Sequence, residues 1–251
     1  MYNKIYDFCK IKNYGGAHKN GLSMPPRVEF LVKLIDSLGI EYEIDEFQHR
    51  RFPDNNFYNI FMIGGGKIGV TAHHDIVNPR SDNANDNSAS VINAIALKVI
   101  SRNTPVILLD GEEPPMMGVG SQRASDRINA GDYGNIESIL NFELTGKGGD
   151  NFFIGKYDGK LSDRIVSIFN PPIVSTPFND ADIFRRNGID SVVINPLPET
   201  KKKSSVVYRG RNLDFSILYN CHSMKDDVST IDPVDMKKFV EKVAAEIVCN
   251  G

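Results

Sequence analysis

Apolar positions change their spacing along the chain, and each change marks an element. In PPRVEFLVKLIDSLG, Val28, Leu31, Leu34, Ile35 and Leu38 fall on one helical face. Pro25 and Pro26 suit the start of that helix and Gly39 its end. EYEIDEF (41–47) alternates with period two, which predicts a strand. NIFMIGGGKIGVTAH reads as two strands joined by a turn at Gly64–Gly66. SASVINAIALKVIS predicts a helix with Ile92, Ile95, Leu97 and Val99 largely buried. PVILLD (105–110), IESILNFEL (136–144) and SVVINP (191–196) are short apolar runs, as expected of strands covered on both faces. DPVDMKKFVEKVAAEIV predicts a closing amphipathic helix, capped by Asp232 before Pro233. Its stripe is Met236, Phe239, Val240, Val243 and Ile247.

Strands alternating with helices predict an α/β fold, a mostly parallel or mixed central sheet with helices on both faces. The most loop-like stretch is 196–212, and no internal repeat or low-complexity segment stands out. Residues 1–251 are expected to form a single domain, long enough to bury a substantial core.

Composition narrows the function classes. A net charge of −3 and a pI near 6.0 favour no polyanion, so no nucleic-acid partner is expected. The short basic runs at 49–51 and 201–203 are expected as solvated loops. Cys9, Cys221 and Cys249 show no C-x-x-C spacing, so neither a disulfide framework nor a zinc ribbon is indicated. MYNKIYDFCK carries charges where a signal peptide needs an apolar core, and no apolar stretch approaches membrane-spanning length. A cytoplasmic protein with no membrane partner is expected.

Acids and histidines gather at the expected strand ends, where ligands bind in open α/β sheets. His73 and Asp75 follow KIGVTA, and Asp110, Glu112 and Glu113 follow PVILL. Glu143 closes SILNF, Asp180 and Asp182 lie in TPFNDADIF, and His222 follows FSILYNC, read as a further strand. Singly, these have plain explanations. DGEE (110–113) suits a solvated turn, and a lone histidine such as His18 or His49 is expected at the surface or satisfied in the core. Glu143 does not fit that pattern: it interrupts an apolar strand, where an unpaired buried carboxylate is costly without a cation or strong donor. Jointly the set reads as a metal site. Imidazole with carboxylate suits zinc, manganese or cobalt. So many acids favour an open catalytic site with two ions sharing a bridging carboxylate.

These residues stand in motifs that resemble a family. AHHDIV is similar to the A-H-x-D-S element of the dinuclear zinc aminopeptidases related to bacterial leucyl aminopeptidase and glutamate carboxypeptidase. NANDNSAS resembles their G-A-N-D-N-x-S-G, LLDGEE their paired glutamates, and NFEL their N-x-D-M. NDADIF resembles S-D-x-x-x-F, and CHSMKDD resembles Y-H-T-x-x-D. The six stand in the family's order and the resemblance runs from about residue 25 to the C-terminal helix.

The resemblance implies a zinc-exopeptidase-like fold and two divalent ions, zinc in the family. His73, Asp86 and Glu143 would hold the first ion, and Asp86, Glu113 and His222 the second. Asp75 would orient His73 and Asp226 would orient His222, while His74 and Asp82 would take no part. Glu112 would be the general base, with Asp110 behind the pair, and a cis peptide would join Asp86 to Asn87. The implied activity is removal of N-terminal residues from peptides or aminoacyl substrates.

Two positions depart from the pattern. Cys221 stands where relatives often carry Tyr, and Glu143, where relatives carry Asp or Glu, is a methylene longer than Asp. Three alternatives compete with the aminopeptidase reading. A glutaminyl cyclase uses one zinc and lines its pocket with Trp, which this chain lacks. A non-catalytic binding protein on this fold usually loses ligands. A deacylase of the related family carries an inserted domain. Phe142, Phe152, Phe178 and Phe184 are candidates for an apolar pocket, with core packing the commoner fate of each.

Overall fold

The structure, a computed structural model, describes residues 1–12, 18–19, 24–200, 206–208 and 211–249. The basic run at 201–203 and the side chain of His18 therefore lie outside what is described. Among the described residues, no helix is long and apolar enough to cross a membrane.

Strands β1 (His18–Lys19), β2 (Tyr42–His49), β3 (Phe52–Met62), β4 (Ile68–His73) and β5 (Val106–Leu109) belong to one mixed sheet. So do β6 (Ser138–Phe142), β7 (Phe152–Gly155), β8 (Ile173–Val174) and β9 (Asp190–Pro196). The order is β1-β3-β5-β4-β6-β9-β7-β8, with β2 paired to β3. The centre, β5-β4-β6-β9, is parallel. Antiparallel pairing joins β3 to β5 and β7 to β9. A small hairpin, β10 (Val206–Tyr208) with β11 (Arg211–Leu213), lies apart.

The β3 and β4 strands are not paired to each other, although they are joined by the Gly64–Gly66 turn. Strand β5 enters between them, with Ile107 opposite both Phe61 and Thr71. The chain therefore leaves β4 toward β5 on one side and returns to β6 on the other. Such a reversal opens a crevice at the carboxyl ends of the strands.

Period-two alternation divides the core. Val106 and Leu108 face one layer, and Ile107 and Leu109 face the other. The first layer holds α1 (Lys4–Cys9), α2 (Pro26–Ser37), α3 (Ala89–Ile100), α5 (Lys160–Phe169) and the C-terminal helical segment. The second holds α4 (Val119–Ala130) and α6 (Asp180–Arg186).

Helix α3 departs from expectation at its end. Val99 is exposed and Lys98 is buried, its ammonium donating to the carbonyls of Ile63, Arg102 and Thr104. The lysine stem packs while its head satisfies these three carbonyls. The C-terminal stripe behaves as expected, with Met236, Phe239, Val240, Val243 and Ile247 all buried along α7 (Pro233–Phe239), a π turn and α8 (Ala245–Cys249). Asp232 caps α7, accepting from Val234 N at 2.8 Å and Asp235 N at 3.5 Å. Asp232→Ala is expected to cost about 1 kcal/mol of stability. A urea midpoint equal to wild type would contradict this.

Candidate metal centre

The expected site residues converge on the crevice, each delivered by a local device. Strand β4 ends at His73 beside Leu109 of β5. Asp75 follows, with Oδ1 3.3 Å from His73 Nδ1. The same carboxylate accepts from Glu112 N at 3.2 Å and Glu113 N at 3.0 Å. Asp75 thus orients an imidazole and ties down the paired glutamates. Gly111, at φ +72°, makes the turn that aims those glutamates back over the strand ends. Asp110 lies behind them and accepts from Tyr58 N at 3.0 Å.

Asp86 sits in a π turn, Ala84–Ser88, that precedes α3, and its peptide bond to Asn87 is cis. The Asn87 amide clamps this turn to the end of β6, donating to Phe142 O at 2.9 Å and accepting from Leu144 N at 3.2 Å. Glu143 lies just beyond β6. Its Oε1 accepts from Asn141 Nδ2 at 3.1 Å, and Asn141 Oδ1 accepts from Thr71 Oγ1 at 2.7 Å. His222 stands at φ +59° after the 3-10 helix Phe215–Asn220. That segment is not the strand its apolar residues suggested.

Two groups of ligand atoms meet at Asp86. Oδ1 lies 3.4 Å from His73 Nε2, which is also 3.6 Å from Glu143 Oε2. Oδ2 lies 3.3 Å from His222 Nε2, which is also 3.0 Å from Glu113 Oε2. His73, Asp86 and Glu113 offer ligand atoms all within 4.8 Å of one another. Glu112 reaches inward too, with Oε2 3.9 Å from His73 Nε2.

The electrostatics of this cluster call for positive charge. Burial, with Asp86 nearby, pushes Glu113 up to about 7. Burial also raises Glu112 well above the usual carboxylate range, with Asp180 and Glu143 adding to it against the pull of His73. Asp180, fully buried behind the site, is pushed up to about 7 by burial and by Glu143. Asp86 goes the other way despite its burial, held below its usual range by His222 and His73. His222 rises to about 10 beside Asp86 and Glu113. Both Glu113 oxygens are buried without a hydrogen-bond donor of good geometry. Buried acids that repel one another and lack donors fit a divalent cation, and imidazole with carboxylate fits zinc.

Several placements differ from the sequence reading. Asp226 does not serve His222. Its carboxylate accepts from Asn85 N at 2.8 Å, Asp86 N at 3.0 Å and Thr230 Oγ1 at 3.1 Å, so it holds the Asp86 turn. Backbone amides in that turn have no helical partner and outcompete a ring N–H for the acid. Asp82 pairs with Lys12 and accepts from Val228 N, a loop role as expected. His74 is buried with Nε2 2.8 Å from Tyr58 O, outside the cluster. Asn87 and Asn141 were missed as supports. A polar Asn inside the apolar run SILNF was the available signal.

A cavity of about 330 Å³ opens beside the cluster. Its apolar wall includes Leu144, Phe153, Phe178, Val193 and Leu218, and Cys221 lies next to His222 on the rim. Phe178 is there as considered, whereas Phe142, Phe152 and Phe184 are core residues and Phe153 takes their place.

Fold and site together define the metallopeptidase class of α/β proteins. The chain belongs to peptidase family M28, whose profile matches residues 63–247. No curated protein sequence matches it. A zinc aminopeptidase from Bacillus subtilis superposes with a TM-score of 0.60 at 18% identity, over 78% of this chain and 50% of that one. This chain thus spans about half the length of that enzyme. A Zn-dependent exopeptidase from Parabacteroides distasonis gives 0.70 at 14% identity, over 98% and 96% of the two chains. A glutaminyl cyclase from Bacteroides thetaiotaomicron gives 0.69 at 16%, over 100% and 96%. Family membership supports a zinc-dependent hydrolase.

Proposed function

We propose that the chain, as one catalytic domain, is an aminopeptidase that releases N-terminal residues from peptides with two divalent ions, zinc foremost. The observation that carries this is the pair of ligand sets meeting at Asp86. One set has His73 and Glu143 around Oδ1; the other has Glu113 and His222 around Oδ2. When bound, the ions supply Lewis acidity that acidifies water and polarises a carbonyl. Glu112, part-exposed in the crevice with Oε2 3.9 Å from His73 Nε2, takes the proton of the attacking water. It then gives that proton to the leaving amine. Asp75 holds His73 and the Glu112–Glu113 backbone in place for both tasks. The acid-rich crevice suits the free ammonium of a peptide N-terminus, and the apolar wall suits the first side chain.

That wall predicts selectivity. Burying a Leu or Phe side chain is worth about 1.5–3 kcal/mol, so Leu- and Phe-led amides should exceed Gly-led ones by roughly 10- to 100-fold in kcat/KM. A flat series would remove the pocket assignment.

The second reading is a single-zinc glutaminyl cyclase, because a cyclase overlaps the chain as completely as the Parabacteroides exopeptidase does. Metal analysis and mass spectrometry of a Gln-led peptide separate the two. About two metals per chain and release of a free amino acid support the peptidase. One metal, with loss of ammonia and no loss of a residue, supports the cyclase. Bound metal without turnover of either kind would leave a binding protein.

A further inference from the structure

Outside the crevice, one buried side chain touches two of the segments that build it and ties them to the N-terminal segment. Arg27, in the first turn of α2, is fully buried. Its Nε donates to His74 O at 2.7 Å, next to His73. One terminal nitrogen donates to Ser88 Oγ at 2.9 Å, two residues beyond Asp86. The other donates to Phe8 O at 3.3 Å and Ile11 O at 3.2 Å, and the guanidinium carbon lies 3.8 Å over the Phe8 ring. Among the described residues, no carboxylate pairs with it directly. The acids that act on it through space are Asp75 and Asp110.

A buried guanidinium held only by neutral acceptors is costly, and apolar packing of similar volume would stabilise the fold at least as well. Two of its properties have no apolar substitute. One is a rigid planar fork that bonds several acceptors in fixed directions. The other is a permanent positive charge behind a cluster of acids. Arg27 and Lys98 are the buried arginine and lysine side chains among the described residues. Lys98 serves carbonyls at the opposite, entering ends of the strands, around Ile63 and Thr104.

We propose that Arg27 is a positioning residue for the metal centre, locking the His73 end of β4 and the Asp86 turn into one frame anchored on the N-terminal segment. This rests on the metal-centre reading above. Its structural meaning is that residues 1–12 and α2, which precede the span matched by the family profile, are part of the site's support. Without the fork, the carbonyl beside His73 and the hydroxyl beside Asp86 lose their common partner. The two ligands then move independently of each other.

The test compares the metal-stripped full chain with Arg27→Met and Arg27→Lys. Zinc is titrated in competition with a chromophoric chelator, and near-UV circular dichroism and the urea midpoint report the fold without metal. Arg27→Met is expected to weaken zinc binding by about 10- to 100-fold, as loss of a support behind a ligand does. Arg27→Lys should recover part of that, because an ammonium keeps the charge but cannot span the acceptors. A purely structural arginine would lower the urea midpoint and leave zinc affinity unchanged, and that result overturns the inference while the metal centre stands. Wild type that binds no zinc overturns both. If Arg27→Met does not fold, Ser88→Ala takes its place. It removes one acceptor and should weaken zinc roughly 2- to 10-fold, the size of one hydrogen bond. Unchanged zinc affinity in that variant likewise overturns the proposal.

Discussion

Glu112→Gln is expected to retain both metals while kcat falls by roughly 10²–10⁴, the usual loss for a general base. That corresponds to about 3–5 kcal/mol of transition-state stabilisation. Glu112 and Glu113 are sequence neighbours with opposite surroundings. Glu113 is buried against His222 at 3.0 Å, whereas Glu112 lines the crevice at 3.9 Å from His73. The amide is isosteric with the acid but cannot carry the proton. Because both backbone amides rest on Asp75, the substitution leaves the loop in place. Glu113→Gln should instead release metal. Single-turnover kinetics with metal analysis on the two variants checks the assignment. Metal loss in Glu112→Gln with none in Glu113→Gln would reverse the two roles.

Asp86→Ala should abolish activity and lower the affinity of both ion sites together, by more than the 10- to 100-fold typical of a lost support residue. Its two oxygens face different histidines, His73 at 3.4 Å and His222 at 3.3 Å. Removing it takes a ligand from each set and leaves Glu113 and Glu143 to repel across the gap. His222→Ala, by contrast, should affect one site. Zinc titration of both variants decides the matter. Full metal content in Asp86→Ala would exclude the bridging role.

Local patterns carried much of this molecule. The period-two and helical spacings located β2, β4, β5, β6, β9, α2, α3 and the C-terminal helix, because burial on one or both faces is written into neighbouring residues. The ligand candidates were legible for a related reason. Acids and histidines that end apolar strands must leave the sheet at its carboxyl edge, and a parallel sheet has one such edge. The cis bond after Asp86 was likewise expected from the NANDNSAS resemblance and is present.

Only the tertiary structure decided how distant segments meet. No spacing reveals that β5 separates β3 from β4, since pairing partners compete over the whole chain and packing chooses among them. Apolar residues in FSILYNC fit a strand or a helix equally well, and a 3-10 turn there places His222 over Asp86. Asp226 stands near His222 in sequence, yet its acid is taken by the amides of Asn85 and Asp86, about 140 residues earlier. Phe153 rather than Phe152 borders the cavity because successive strand residues face opposite sides of the sheet. Arg27 was the least legible of all. A single arginine in an amphipathic helix reads as surface charge, and only folding, by bringing His74, Ser88, Phe8 and Ile11 around one guanidinium, buries it behind the site.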